Sequence, residues 1–235
     1  MNVVITGASR GIGSEIVKAL ADGGASRIIG VSRNYKQLCV LRDWCTEQGS
    51  CEFIPVAYDL QQITLSEPQL MGLIKQHFNQ IDLLINNAGA LINKPFENIS
   101  AEEINRIFTV NYLAPALIIK NLLPLLKLGK AHVVNIASMA GFQGSSKFPG
   151  LSHYSASKGA LAILTECLAA EYHKEGIVFN ALALGSVQTE MLAEAFPGLQ
   201  APVSPEQMGA FIANFALVGK QFYNGKVLPV SLATP

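Results

Sequence analysis

Residues 154–158 read YSASK, a tyrosine and a lysine four positions apart with only small residues between them. On an α-helix that spacing turns about 400° and climbs about 6 Å, so the two polar heads share one face, stacked a turn apart. A phenol titrates near about 10, too high for easy proton exchange at neutrality. A cation about 4 Å away, at an effective dielectric near 20, is worth roughly 4 kcal/mol, or about three pKa units. Lys158 alone would therefore bring the Tyr154 phenol to about 7, where a side chain serves as a general acid. The competing reading is a solvated surface pair, and the rest of the chain decides between them.

A second group of residues points to a phosphate. After the strand-like NVVIT at 2–6 comes TGASRGIG, with glycines at 7, 11 and 13, then a helix with Ile12, Ile16, Val17 and Leu20 on its apolar side. Gly7 permits a tight turn, Gly11 lets backbone N–H groups approach a pyrophosphate, and Gly13 lets the helix pack close to the sheet. The helix N-terminus adds its positive end. Glycines alone mark ordinary turns; strand, glycines and helix in this order mark a nucleotide site. The spacing is GxxxGxG rather than the commoner GxGxxG.

About twenty residues beyond such glycines, an acid ordinarily hydrogen-bonds the ribose 2′-hydroxyl. Here the second strand ends Ser32-Arg33, and Arg10 lies within the glycine loop. Two guanidiniums and no carboxylate favour a 2′-phosphate, hence NADP(H) over NAD(H). The alternative for Arg33 is a solvated strand end. Asp59, ending the third strand, either accepts from the adenine amine or caps a loop. Ser9, Ile12 and Leu60, beside these positions, are expected among the cofactor contacts.

The elements that must position these groups are legible as seven apolar runs, at 2–6, 27–32, 51–58, 81–86, 132–138, 177–184 and 226–231. They are apolar on both faces, as in a parallel sheet covered by helices on each side. Helical stretches fill the gaps at about 12–22, 35–48, 67–79, 101–127, 154–174 and 205–218. The alternation predicts an α/β fold: one domain over 1–235, a doubly wound, Rossmann-type, seven-stranded parallel sheet with ligands beyond the strands' carboxyl ends. Two long loops, 141–152 and 186–204, are candidate walls of a substrate pocket.

Composition narrows the class. At 235 residues, 50% hydrophobic and 14% charged, the chain can bury a full core. Acids and bases number 17 each, which leaves no net charge to attract nucleic acid or a membrane surface. The apolar stretches 107–119 and 207–219 fall short of the roughly 18 residues of a membrane span. The N-terminus shows no basic region followed by a long apolar run, so a cytoplasmic protein is expected. Cys39, Cys45, Cys51 and Cys167 have neither metal nor CxxC spacing and read as free thiols, with no metal site.

TGASRGIG, NNAG at 86–89, Asn111, Ser138 closing the fifth strand, and YSASK together resemble the classical short-chain dehydrogenase/reductase family. The resemblance runs through nearly the whole chain. It implies a catalytic tetrad on Asn111, Ser138, Tyr154 and Lys158. A carbonyl receiving hydride develops alkoxide character, so it needs a proton donor, Tyr154, and a hydrogen-bond donor, Ser138. Lys158 would also hold the nicotinamide ribose, and Asn111 would place a water linking that lysine to solvent. Asn87, Ala88 and Gly89 match a cofactor-ribose wall, with Asn86 bracing the sheet; Val187 and Thr189 match contacts to the carboxamide and phosphates.

The activity implied is NADPH-dependent reduction of a small ketone or aldehyde, or the reverse oxidation, by a homo-oligomer, dimer or tetramer, pairing through the helices at 101–127 and 154–174. A 3-oxoacyl thioester or pterin substrate, and a noncatalytic NADP-sensing or scaffold role, are the alternatives.

Three departures from the family pattern stand out. Leu184-Gly185 replaces Pro-Gly, which predicts a looser turn behind the nicotinamide. Extra residues between Ser138 and Tyr154 should bulge into 141–152 and reshape the pocket without moving the tetrad. GKVLPVSLATP lacks a terminal glycine pair, which puts a tetramer contact there in doubt. Phe142, Phe148, Met191 and Phe196 in the two loops fit an apolar or aromatic substrate pocket or scattered core contacts alike, and His153 either faces substrate or is a loop histidine without function.

Overall fold

Alternate residues of the first strand serve two different cores. Val3 and Ile5 pack with Ile16, Leu20, Leu38 and Ile212, whereas Val4 between them packs with Leu70, Ile74 and Leu122. A strand buried on both faces has no polar alternation to show, which is why these runs read as continuous apolar stretches.

The computed structural model describes residues 1–49, 51–64 and 68–232. The strands are β1 (Asn2–Thr6), β2 (Arg27–Ser32), β3 (Glu52–Ala57), β4 (Leu83–Asn86), β5 (His132–Ser138), β6 (Val178–Leu184) and β7 (Lys226–Val230). They pair in parallel, in the order β3-β2-β1-β4-β5-β6-β7. The expected seven-stranded, doubly wound α/β sheet is therefore present. On one face lie α1 (Gly11–Asp22), α2 (Tyr35–Gln48) and α8 (Pro205–Val218). On the other lie α3 (Pro68–His77), α5 (Ala114–Gly129) and α6 (Ser152–Glu171).

Helix α4 (Ala101–Phe108) opens with a capping box of Ser100 and Glu103, and α8 with one of Ser204 and Gln207. The helix expected over 101–127 is interrupted by a π turn, Thr109–Leu113, between α4 and α5. Apolar periodicity could not show this, because the turn is held by bonds from Asn111 to a distant loop. The stretch Ala101–Gly129 is apolar and long enough to cross a membrane by composition alone, but half of its most apolar window is buried in the fold. Within 186–204 the structure adds a short helix, α7 (Glu190–Ala195), capped by the Thr189 hydroxyl. Six residues are too few to show a helical period.

Asn86 donates to Asn135 Oδ1 at 2.8 Å, and Asn135 to Thr165 Oγ1 at 2.9 Å, a buried ladder joining β4, β5 and α6. Asn86 thus braces the sheet, as expected. The four cysteines are free. Cys45 donates its S–H to Cys51, so its own thiol is pushed up while that of Cys51 is held down. The last residues of GKVLPVSLATP, 233–235, and the first of the expected helix at 67–79 lie outside the described residues.

Candidate active site

The winding of the sheet reverses between β1 and β4, and a cleft of about 550 Å³ lies beyond the strand ends there. Ser138, Tyr154, Lys158 and all the expected cofactor residues line it. Asn111 does not; it is fully buried behind the wall.

Gly7 sits at φ +70°, where a side chain is strained, and a Cβ on Gly13 would stand 2.0 Å from the Gly7 carbonyl oxygen. The first turn of α1 therefore rests directly on the glycine turn. Arg10 is the N-cap of α1 but makes no side-chain bond to it, unlike the boxed starts of α4 and α8. The opening N–H groups of α1 are left to face the cleft, as an anion requires. Thr6 Oγ1 accepts from the backbone N–H of both Asn87 and Ala88, each at 3.1 Å. Asn87 Nδ2 returns bonds to the carbonyls of Thr6 and Gly7, at 3.1 and 3.2 Å. Asn87 thus locks the β1 turn to the β4 turn. Thr6 stands outside the motifs that mark the cofactor residues; a threonine ending the apolar run directly before Gly7 is the signal in the sequence.

Ser9 Oγ and Ser32 Oγ lie 2.7 Å apart at the end of β2. Arg33 lines the cleft, is exposed and forms no ion pair among the described residues. Arg10, expected to face the 2′-phosphate, is instead paired with Glu190 at the start of α7. Glu190 opens α7 within reach of the guanidinium, and the two form a charge-assisted pair. Asp59 accepts from Gln61 N at 3.0 Å and so caps the 3₁₀ turn Leu60–Gln62, the second of its two expected readings.

Ser138 ends β5, Tyr154 and Lys158 lie in the first two turns of α6, and Ser138 hydrogen-bonds the phenol. Lys158 is only 3% exposed, and Nζ donates to the Ile136 carbonyl at 2.7 Å. Burial lowers this ammonium to about 8. The Tyr154 phenol is raised by burial, with the Ser138 bond pulling it partly back. This corrects the expectation that Lys158 alone brings the phenol near neutrality. The ammonium is turned to the Ile136 carbonyl, and desolvation of the phenolate outweighs what the hydrogen bond returns.

Asn111 accepts from Ala90 N at 2.8 Å and donates to Ala90 O and to Ser157 Oγ, both at 2.9 Å. Ser157 in turn donates to the Tyr154 carbonyl at 2.7 Å. Asn111 therefore fixes the 88–90 wall against α6. A Cβ on Gly89 would come within 3.6 Å of Asn111 Oδ1 and 3.7 Å of Lys158 Nζ, so the glycine keeps the floor low.

The two loops close the outer walls. Gln188 N bonds Val203 O at 2.9 Å, which turns 186–204 into a closed excursion carrying α7. Asn93 Nδ2 holds the Ala195 carbonyl at 2.9 Å, so α7 is tied at both ends. Gly185 N bonds Val230 O at 2.9 Å, and Leu184 pairs with Val230. The turn at Leu184-Gly185 is thus pinned by β7 and is not the loose turn expected there. The extra residues after Ser138 fold onto themselves: Ser145 bonds the Met139 and Phe142 carbonyls, and Lys147 Nζ bonds Phe142 O at 2.6 Å. His153 stacks on Phe96 with centroids 5.3 Å apart.

Uncapped N–H groups, a glycine cradle that Cβ atoms would fill, and paired serines at the end of β2 fit a nicotinamide dinucleotide. The short chain dehydrogenase family profile matches residues 1–200. The ketoacyl reductase HetN of Nostoc sp. is 34% identical over 213 residues, covering 86% of this chain and 71% of that protein. L-xylulose reductase of Caenorhabditis elegans is 36% identical over 197 residues, covering 80% and 72%. Among solved structures, the Pseudomonas aeruginosa RhlG/NADP active-site complex superposes with a TM-score of 0.84 at 26% identity, covering 98% of this chain and 94% of that one. The chain belongs to the short-chain dehydrogenase/reductase family, oxidoreductases that act on CH–OH groups.

Proposed function

We propose that this protein is a cytoplasmic NADPH-dependent carbonyl reductase, converting a ketone or aldehyde to the alcohol or running the reverse. The observation that carries the reading is the meeting of Ser138, Tyr154 and Lys158 on the floor of a cleft whose other end holds Arg33, Ser9 and Ser32 without an acid at the end of β2. NADP in the RhlG complex supports the phosphorylated cofactor, and the names of the ketoacyl and xylulose reductases support a carbonyl group as substrate.

When bound, the reduced nicotinamide supplies the hydride. Tyr154, kept protonated by burial, donates its phenolic proton to the carbonyl oxygen. Ser138 donates a hydrogen bond to the same oxygen as negative charge gathers on it. The carbon takes hydride with its electron pair, the oxygen takes the proton, and an alcohol results. Lys158 holds its ammonium beside the site and would hold the nicotinamide ribose. Asn111 acts as a positioning residue for the 88–90 wall. Gly7, Gly11, Ile12, Gly13 and Thr189 would hold the pyrophosphate, Asp59 and Leu60 would flank the adenine, and Val187 would meet the carboxamide.

Four free thiols suit a reducing compartment. Exposed Leu113 and Ile163, beside α5 and on α6, suit pairing of two copies through these helices, which sedimentation would test. The reductase reading is tested with Tyr154→Phe. Turnover of NADPH across a carbonyl panel is expected to vanish while NADPH affinity stays within about two-fold; retained turnover would sink the acid assignment.

A further inference from the structure

The cleft is charged at one end and apolar at the other. Arg10, Arg33 and Asp59 stand at the ends of β1, β2 and β3, with Glu190 held on Arg10. Arg106 also lines the cleft, one turn before Val110 on the helix whose π turn touches Leu60–Gln62. Around Tyr154 the walls are instead Ala90, Met139, Phe148, Met191, Phe196 and Leu199. Met191 Cε lies 3.9 Å from the Cβ position of Gly89, beside Lys158 Nζ, so this apolar wall reaches the floor. Lys158 is the cation beside that wall, and it is bonded to Ile136 O. Asn87 is spent on Thr6 and Gly7.

A carboxylate or phosphate on the substrate would lose its water here and find no counter-charge, and a polyol would bury hydroxyls without partners. Apolar surface, by contrast, is on offer. Phe148 and Leu199 leave 49% and 44% of their surface open at the rim. Phe148 also walls a shallow outer groove with Pro95, Phe96 and Pro149, so apolar surface continues from the cleft to the exterior. Lys147 on that groove is held back by the Phe142 carbonyl and Ser145 Oγ.

We infer that the substrate is an uncharged carbonyl compound with an extended hydrocarbon tail, its oxygen at Tyr154 and Ser138 and its tail leaving past Phe148 into the outer groove. The inference rests on the carbonyl-reductase reading for the reacting group, but on the walls alone for polarity and length.

The test uses 2-alkanones from butanone to dodecanone, with 4-acetylbenzoate and a ketopentose as charged and polyhydroxylated probes. Turnover is followed by NADPH oxidation in the wild-type protein. Affinity is measured by calorimetry on Tyr154→Phe loaded with NADP⁺. Both readouts should rise about three- to four-fold per methylene until the groove is filled, with both polar probes at least about 100-fold weaker than the longer ketones. Phe148→Ser, on an exposed loop, should flatten the rise for the longer chains. An affinity series that does not climb with length, or a polar probe bound as tightly as 2-decanone, overturns the inference. A climbing affinity series without turnover of any ketone upholds it and removes the reductase reading instead.

Discussion

Arg10 and Glu190 are ion-paired across the mouth of the cleft, joining the glycine loop to the first residue of α7. Both side chains are more than half exposed, at 52% and 66%. The pair withholds from an incoming 2′-phosphate one of the two guanidiniums the sequence offers it. Removing the rival carboxylate with Glu190→Gln should tighten NADPH by about two- to five-fold, the worth of an exposed pair. NADH, which lacks the phosphate, should change little. Fluorescence titration with both cofactors checks this; equal tightening of the two would mean that Arg10 does not serve the phosphate.

Ser138 bonds the phenol and lines the cleft, so Ser138→Ala would remove that bond together with the donor proposed for the substrate oxygen. Loss of one such donor costs about 10²–10³ in kcat. NADPH affinity should hold, since Ser138 belongs to the floor and not to the phosphate end. Steady-state rates beside cofactor titration separate the two.

The Lys158 ammonium, lowered to about 8 by burial, is lost within the working range of many assays. Reduction should therefore decline as pH rises through about 8. The sign for stability is opposite. Between the folded value and the unfolded one near about 10.5 the unfolded chain binds more protons, so wild-type stability rises with pH across that window. Below it the buried charge is a cost, and Lys158→Met should stabilise the fold at pH 7 by about 1–3 kcal/mol while abolishing turnover. Urea unfolding at pH 7 and pH 10 reads both effects.

How much of this was legible in the sequence depends on how local each cause is. The seven strands and the glycine turn follow from runs of apolar residues and from fixed spacings, and they appear where the sequence puts them. The state of Tyr154 does not. Spacing brings a lysine to the right face, but whether its ammonium meets the phenol or a carbonyl depends on Ile136 of β5, 22 residues away in the chain and adjacent only in space. Arg10 shows the same limit, since Glu190 lies 180 positions on. The π turn at Thr109–Leu113 is invisible for a related reason: what holds it is the Ala90 backbone, not its own sequence.

His132 is 1% exposed, with Nδ1 2.9 Å from Ala216 O and Nε2 3.1 Å from Asn180 Nδ2. Those partners fit the neutral ring with its proton on Nδ1, and burial lowers its pKa to about 4. The unfolded chain takes up this proton near about 6.5, so stability is complete above that value and is lost as pH falls toward about 4. The loss amounts to on the order of 3 kcal/mol. Denaturation midpoints between pH 7 and pH 4 should show it, and His132→Leu should make the decline shallower although it lowers stability at neutrality.

Thr6 Oγ1 accepts from two backbone N–H groups, those of Asn87 and Ala88. Thr6→Val keeps the shape and removes the acceptor, at a cost of about 1–3 kcal/mol for the stranded donors. Because those donors belong to the 87–88 turn, NADPH should weaken as well. Thermal unfolding with and without cofactor distinguishes a damaged turn from a merely weakened sheet.

The cleft draws its walls from both ends of the chain, from Gly7 in the first turn to Leu199 beyond β6. Its central strand β1 pairs with β4 across some eighty residues. A growing polypeptide emerging from the ribosome therefore carries the glycine turn early but gains Ser138, Tyr154 and Lys158 only past its midpoint, and the 186–204 wall later still. Partial chains have nothing complete to offer a dinucleotide, and cofactor capture becomes an event of late synthesis, arriving as a seal on a finished fold instead of a seed for it.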